Sequence, residues 1–550
     1  MADVTVRKRP LPVEEQTRFR RDLGPVGILF VSVGSVIGSG WLLGSLNASQ
    51  IAGPAALLSW AIAGGIILVL ALIHAELGST YPVAGGTARF STYAFGNLAG
   101  FAAGWFAWIA TVTLAPVETE AAIQYASNYA SWLTHKSGGV PVLTGPGYAV
   151  AFLFLLAFTV INIWGIRRFR DTNNTAVWWK IAIPVLTLVM IAAYAFHGSN
   201  FTAGGGFAPT GAKGVLEAIS TGGVLFALLG FEQAVQVGGE SRNPRRNMPI
   251  AIIGSALFGV VLYFLLQVAF IGALNPSSLS HGWASLSFKN DFGPFAGLAN
   301  ALGLGWLAIL LYIDAVVSPG GTGLTYTSTS ARISYALGRN GLVPSQFGQL
   351  SRRGVPVFSI VFSFFVGMLL FLPFPGWQKL VNFISSATAL IYGTAPLALA
   401  ALRRQEPNRP RPFRLRAAGV VAPVGFVFAN LIIYWSGWKV DWKLFAAVGV
   451  GFLLLAISTI TKAPSSRPPF DWKAAVWLWP YLGGMALISY LGQFGGGRNV
   501  IPFWWDILVV AGLSLAIYWL ALRVRLDPRR VRAYLSIGAA AENAPGLDET

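Results

Sequence analysis

The chain has 550 residues, 55% of them hydrophobic and 11% charged, with a mean hydropathy of +0.61. Continuously apolar runs of about twenty residues recur along most of its length, which marks an all-α polytopic membrane protein and leaves out closed barrels, whose strands alternate apolar and polar residues. The net charge of +18 is not gathered on one amphipathic surface, so nucleic acid is not expected as a partner; the lack of cysteine excludes disulfides, thiolate catalysis and zinc–thiolate or iron–sulfur sites.

About fourteen spans are predicted, near 25–46, 52–78, 95–133, 147–166, 174–197, 214–238, 249–272, 294–336, 355–373, 379–402, 417–438, 442–461, 473–493 and 503–524. The first run has no small-residue cleavage site and more spans follow at once, so it reads as a retained helix. The third and eighth runs exceed what a bilayer requires, as expected of tilted helices or helices that continue beyond the lipid.

Orientation follows from the basic residues. With the N-terminus inside, 31 of the 39 Lys and Arg fall on the cytoplasmic side. They include Arg7, Lys8, Arg9, Arg18, Arg20 and Arg21 in the tail, Arg167, Arg168 and Arg170, Arg242, Arg245 and Arg246, Arg352 and Arg353, and the cluster RRQEPNRPRPFRLR at 403–416. Seven fall outside and Lys180 lies within a span, which predicts both termini in the cytoplasm of a cell-membrane protein.

The first span carries VGSVIGSGWLLGS at 33–45. Glycine leaves helical geometry cheaply, and a broken helix survives in lipid only where it is buried and its backbone groups find other partners. A break at Gly38, Ser39 and Gly40 would free N–H groups at the positive end of the second half-helix, which suits a carboxylate. The plainer alternative is close helix packing, since GSVIG at 34–38 is also a GxxxG pattern. GILFVSVG at 27–34 is echoed by GVLFALLG at 223–230 in span 6. Five spans separate the copies, so they run in opposite directions, as the halves of an inverted repeat do. Two opposed breaks would receive a zwitterion, its carboxylate at N–H groups and its amine at freed carbonyls.

The chain resembles the amino acid–polyamine–organocation permeases. SVIGSG in span 1, AELGSTYPVAGG at 75–86, NNTAVWWK ending at Lys180, FALLGFE with ESRNPRRNMPIAI around the end of span 6, and STSARISYALGRNGLVP after span 8 carry the resemblance over about the first 400 residues. It implies the five-plus-five inverted repeat of the leucine transporter: a tail at 1–24, repeats at 25–200 and 214–402, four accessory spans at 417–526 and a tail at 527–550. Members commonly have twelve spans, so the last pair is a departure. The resemblance further implies substrate contacts from Val36, Ile37, Gly38, Ser39 and Gly40 and from Phe226, Ala227, Leu229 and Gly230. Ser39 and Gly40 would be carboxylate donors, Val36, Phe226 and Leu229 amine acceptors, and Phe226 an inner gate. Thr111 falls near a side-chain position of the family's pocket, and Trp41 departs from the usual small or branched aliphatic residue, which points to specificity.

Ionisable groups within the membrane are functional candidates by default. Lys180 matches the lysine that replaces sodium in proton-coupled members, with Ser318 as its expected hydroxyl partner; the alternative is a lysine snorkelling to headgroups. For Glu76 and Glu232, a proton-gate role stands beside plain capping of backbone or pairing with arginine. Glu118 and Glu120, a turn or two outward of Thr111 and roughly 200° apart on one helix, cannot both face one cavity, so one of them is a specificity candidate lining the outer vestibule. Asp314 precedes SPGGTG, where Pro319, Gly320, Gly321 and Gly323 suggest a helix distortion beside a second proton site. The expected function is amino acid import by alternating access, with a proton gradient in place of any cofactor and sodium less favoured. An amino acid or amine exchanger is the alternative. A channel lacks a filter motif, and an enzyme lacks clustered ligands, the four histidines being scattered.

Overall fold

The computed structural model describes residues 23–543 except 84–85, 138–139, 165, 289–292, 352–353 and 464–466; for 140, 166–175 and 537–543 it describes the backbone alone. The basic residues expected in the N-terminal tail, Arg352, Arg353, residues 544–550 and the side chains of Arg167, Arg168 and Arg170 therefore lie outside the described residues.

The helices in chain order are α1 (Pro25–Val36), α2 (Gly40–Ala52), α3 (Ala56–Thr80), α4 (Gly86–Phe95), α5 (Asn97–Ala126), α6 (Gly145–Trp164), α7 (Ile166–Tyr194), α8 (Gly211–Thr221), α9 (Val224–Ala227), α10 (Gln233–Gln236), α11 (Pro244–Ala273), α12 (Pro294–Ala301), α13 (Gly305–Arg339), α14 (Val357–Leu370), α15 (Trp377–Gln405), α16 (Ala418–Ser436), α17 (Trp438–Ile460), α18 (Trp472–Ala475), α19 (Leu478–Leu491), α20 (Phe503–Val524) and α21 (Pro528–Asn543). Among the described residues the only sheet is a small antiparallel hairpin, 134–137 with 140–143. Eleven helical stretches are long and apolar enough to cross a membrane; α1 and α14 are shorter apolar helices. With the broken α8–α10 segment these match the expected spans, because helices are the only open-chain way to satisfy the backbone in lipid.

Two expectations need correction. The eighth run is two helices, since the chain turns at Leu302–Leu304, with Gly303 at φ +75°, between α12 and α13. The SPGGTG stretch is not distorted: α13 remains helical through Pro319 and its glycines. Those glycines make room instead, with Lys180 packed on Gly321 and Phe158 on Gly323.

The helix α5 is buried along its length and α15 nearly so, while α6, α7, α17 and α20 turn much of their surface outward. Against this axis α5 packs along α13 and α15. The first broken span meets the second in reverse order, α2 against α8 and α9, α1 against α10. Leu23 pairs with the segment after α10, its N–H donating to Glu240 O at 3.1 Å and its carbonyl accepting from Arg242 N at 3.0 Å. The later helices are joined by buried polar contacts of the kind that hold spans together in lipid. Asn430 bridges Ser514 and Tyr481, Asp506 accepts from Tyr434, and Asp441 accepts from Ser386 and Ser489.

Candidate substrate and coupling site

The first span breaks at Ile37, whose backbone is extended (φ −88°, ψ 93°), and resumes as a helix at Gly40. A helix end leaves its last carbonyls without partners, and each unpaired group buried in lipid costs several kcal/mol. Here one further turn of the chain itself and three other elements supply the partners. Ile37 N–H donates to Val33 O at 3.0 Å. The Lys180 ammonium donates to Gly34 O at 2.8 Å, the Tyr263 hydroxyl to Val36 O at 3.0 Å and the Thr322 hydroxyl to Ile37 O at 3.3 Å. A carbonyl has two lone pairs, so Val36 keeps capacity for a second donor.

The sixth span breaks twice, around Gly223 (φ +83°) and between α9 and α10, where Gly230 has φ +118°. Only glycine fits at Gly230, both for its φ and because a Cβ there would sit 2.6 Å from the Ser35 carbonyl carbon and 2.7 Å from Val36 N. The Ser32 hydroxyl repairs this break, donating to Phe231 O at 3.1 Å and accepting from Ala234 N at 3.0 Å. A Cβ on Gly40 would lie 2.5 Å from the Ala227 Cα, so the two breaks touch backbone to backbone.

Charged groups surround this contact. Glu118 Oε2 accepts from the Ser39 N–H at 2.8 Å, and a Cβ on Gly38 would collide with the same carboxylate. Lys180, 3% exposed, donates to the Thr322 hydroxyl at 2.7 Å, which excludes the snorkelling alternative. Thr322, one turn beyond Ser318, takes the place expected for Ser318. The Ser318 hydroxyl donates instead to Asp314 Oδ1 at 2.6 Å, which also accepts from the Trp179 indole at 2.9 Å. Asp314 is thus buried beside the site but held by its own turn and by the neighbour of Lys180.

The remaining expected residues divide. Phe226 meets Trp377 edge to face at 5.7 Å, and its carbonyl accepts from Leu229 N at 3.1 Å. Trp377 also donates to the Ser39 hydroxyl at 2.9 Å, and Glu120 accepts from the neighbouring Gly376 N–H at 3.1 Å. The two glutamates therefore address different elements, as their helical spacing required. Trp41 packs on Phe295 at 5.5 Å. Thr111 is not brought to the break: its hydroxyl donates to Ala107 O and Trp108 O on its own helix, about 10 Å along α5 from Glu118. Glu232 caps the second break, accepting from Gly230 N at 3.0 Å and from the Tyr392 hydroxyl at 2.5 Å. Glu76 lies apart from the site, paired with Arg403 and Arg411 and accepting from Leu415 N at 2.7 Å.

Sequence reasoning missed Ser32, Tyr263, Thr322 and Trp377. Thr322 carried a signal, one turn after Ser318 in SPGGTG. The others are single polar or aromatic residues whose use depends on tertiary contact.

A model of the amino acid permease family matches residues 23–478. The chain belongs to that family. The permease is 42% identical over 513 residues to the glutamate/serine transporter AimA of Bacillus subtilis (strain 168), covering 92% of this chain and 94% of that one. It is 36% identical over 511 residues to the aspartate-proton symporter of the same organism, covering 92% and 97%, and 27% identical over 433 residues to its branched-chain amino acid permease BcaP, covering 76% and 89%. A match over 92% of the chain runs on past residue 478. The last pair of spans, a departure from the usual twelve, is therefore shared at least in part with the first two relatives. The permease is a multi-pass membrane transporter of amino acids, not an enzyme.

Proposed function

We propose that this permease imports amino acids across the cytoplasmic membrane by proton-coupled symport, alternating access between two repeats at 25–200 and 214–402. In this reading residues 417–526 are accessory spans, and the tails at 1–24 and 527–550 are both cytoplasmic, a topology that the distribution of arginine and lysine supports. The substrate carboxylate takes the N–H groups of Ser39 and Gly40 at the start of α2, and its amine the carbonyls of Val36, Phe226 and Leu229. Relatives named for glutamate, serine and aspartate support small acidic and hydroxyl amino acids as the substrate class.

The observation that carries the coupling is the position of Lys180. Its ammonium joins the end of α1, through Gly34 O, to α13, through Thr322. A charged ammonium holds both elements with charge-assisted hydrogen bonds; a neutral amine has one donor fewer and weaker bonds. Protonation at this point thus bears on whether α1 and α13 stay together. No cofactor enters, and the proton gradient supplies the energy. Uptake of glutamate, aspartate and serine into proteoliposomes, with and without an inward pH gradient and with and without internal substrate, tests the reading. Symport predicts acceleration by the gradient. Uptake that needs internal substrate and ignores the gradient would establish exchange instead.

A further inference from the structure

We infer that Glu118 is a built-in stand-in for the substrate carboxylate, holding the Ser39 donor while the site is empty and yielding it when the Glu118 carboxyl takes up a proton. This rests on the reading of residues 36–40 as the substrate site.

The donor in question is the main-chain N–H at the head of the thirteen-residue α2, where the helix dipole and the freed N–H favour an anion. Glu118 Oε2 already occupies it at 2.8 Å, and the carboxylate lies where a Cβ on Gly38 would have to be. One N–H has one hydrogen. A substrate carboxylate therefore cannot take this donor, or the space over Gly38, until Glu118 leaves. The absence of a side chain at Gly38 serves the protein's own carboxylate as much as it serves a ligand.

The charges facing Glu118 decide what leaving entails. Lys180 of α7 is within electrostatic reach, as are the hydroxyls of Tyr263 on α11 and Tyr326 on α13; Asp314 of α13 acts on Lys180 and Tyr263, and Thr322 of α13 lies beside Gly38. The only cation in that group is Lys180, and its ammonium is committed to Gly34 O and Thr322. An incoming carboxylate places a second anion beside Glu118 in a water-poor site, where two like charges do not both persist cheaply. The balanced step is one proton taken from bulk hydronium or buffer acid, which becomes water or buffer base, onto a Glu118 carboxylate oxygen; no other covalent bond changes, and the Ser39 N–H moves its hydrogen bond from Glu118 to the substrate carboxylate. For an acidic amino acid, which enters with one net negative charge, the proton also leaves the loaded site no more negative than the empty one.

The test is calorimetric binding of glutamate, aspartate and serine to the purified full-length permease between pH 5 and pH 8, in two buffers of different ionisation enthalpy, for wild type and Glu118→Gln. For wild type the inference predicts uptake of about one proton per substrate and weakening of about tenfold per pH unit above the titration of the site. In Glu118→Gln, proton uptake and pH dependence disappear and binding at pH 8 is at least tenfold tighter than wild type. A variant that keeps the wild-type pH dependence and proton uptake overturns the inference. Infrared difference spectra of wild type on adding serine, which brings no side-chain carboxylate, give a second reading independent of the variant's folding. A protonated carboxyl band must appear, and its absence is equally fatal. If wild type binds none of the three amino acids, the substrate reading itself fails, which the other results do not imitate.

Discussion

The indole N–H of Trp377 donates to the hydroxyl of Ser39 at 2.9 Å, joining the start of α15 to the break in the first span. The same ring meets Phe226 edge to face, so one residue closes both broken spans on one side. Trp377→Phe keeps the aromatic contact and loses the hydrogen bond, about 1 kcal/mol, or roughly fivefold. The expected result is a several-fold rise in KM with kcat little changed, and a larger rise in Trp377→Ala, read from initial rates of uptake. Equal KM values in all three proteins would remove Trp377 from the gate.

Gly40→Ala sets a methyl carbon 2.5 Å from the Ala227 Cα, a backbone atom that cannot rotate away. Overpacking of this kind costs about 1–3 kcal/mol. The variant is expected to unfold at lower temperature and to lose most uptake. Ala227→Gly in the same chain will not restore it, because the Cα remains in the way. Full rescue by the double change would show that the breaks do not touch through their backbones.

Glu76 is 1% exposed and holds Arg403, Arg411 and the Leu415 N–H. This is the capping and pairing alternative for the residue, with no link to the break. Removing one partner of a buried pair costs about 3–5 kcal/mol, and the partial exposure of Arg403 puts this case nearer 2. Glu76→Gln should lower the midpoint of thermal unfolding while the surviving protein keeps its response to a pH gradient. Unchanged stability with a lost response would reverse the assignment.

Asp471 anchors the C-terminal helix, accepting from the Tyr534 hydroxyl at 2.7 Å and pairing with Arg530 at 2.6 Å. It also accepts from Asn97 N at 3.3 Å, at the start of α5. In Asp471→Asn, amide hydrogen exchange should speed up over residues 528–536 and the first turn of α5, with the centre of α5 unaffected. Unchanged exchange in both segments would show that the contact is incidental.

The spans, their broken members and the buried intramembrane lysine were legible in the sequence for definite reasons. Hydrophobic runs report burial in lipid directly, glycine marks positions where a Cβ is forbidden, and an intramembrane lysine is conspicuous by cost. Partner choice was less legible. Ser318 and Thr322 both offer a hydroxyl one turn apart, and only the rotation of α13 against α7 decides that Thr322 meets Lys180. Glu118 was a candidate by charge alone. That it sits on the Ser39 donor depends on where α5 crosses the break, which no local pattern encodes. The Thr111 hydroxyl bonds its own helix two turns from Glu118, and nothing local in FPGWQK signals the contact of Trp377 with Ser39.

The central claim is that the ammonium of Lys180, bonded to Gly34 O and Thr322, couples proton entry to transport. The most direct measurement is amino acid uptake into proteoliposomes of wild type and Lys180→Ala, with and without an inward pH gradient, at equal amounts of folded protein. Loss of charge-assisted bonds worth about 1.5–3 kcal/mol predicts roughly ten- to hundredfold slower gradient-driven uptake, with the acceleration by the gradient gone. Acceleration in Lys180→Ala equal to that of wild type would contradict the account.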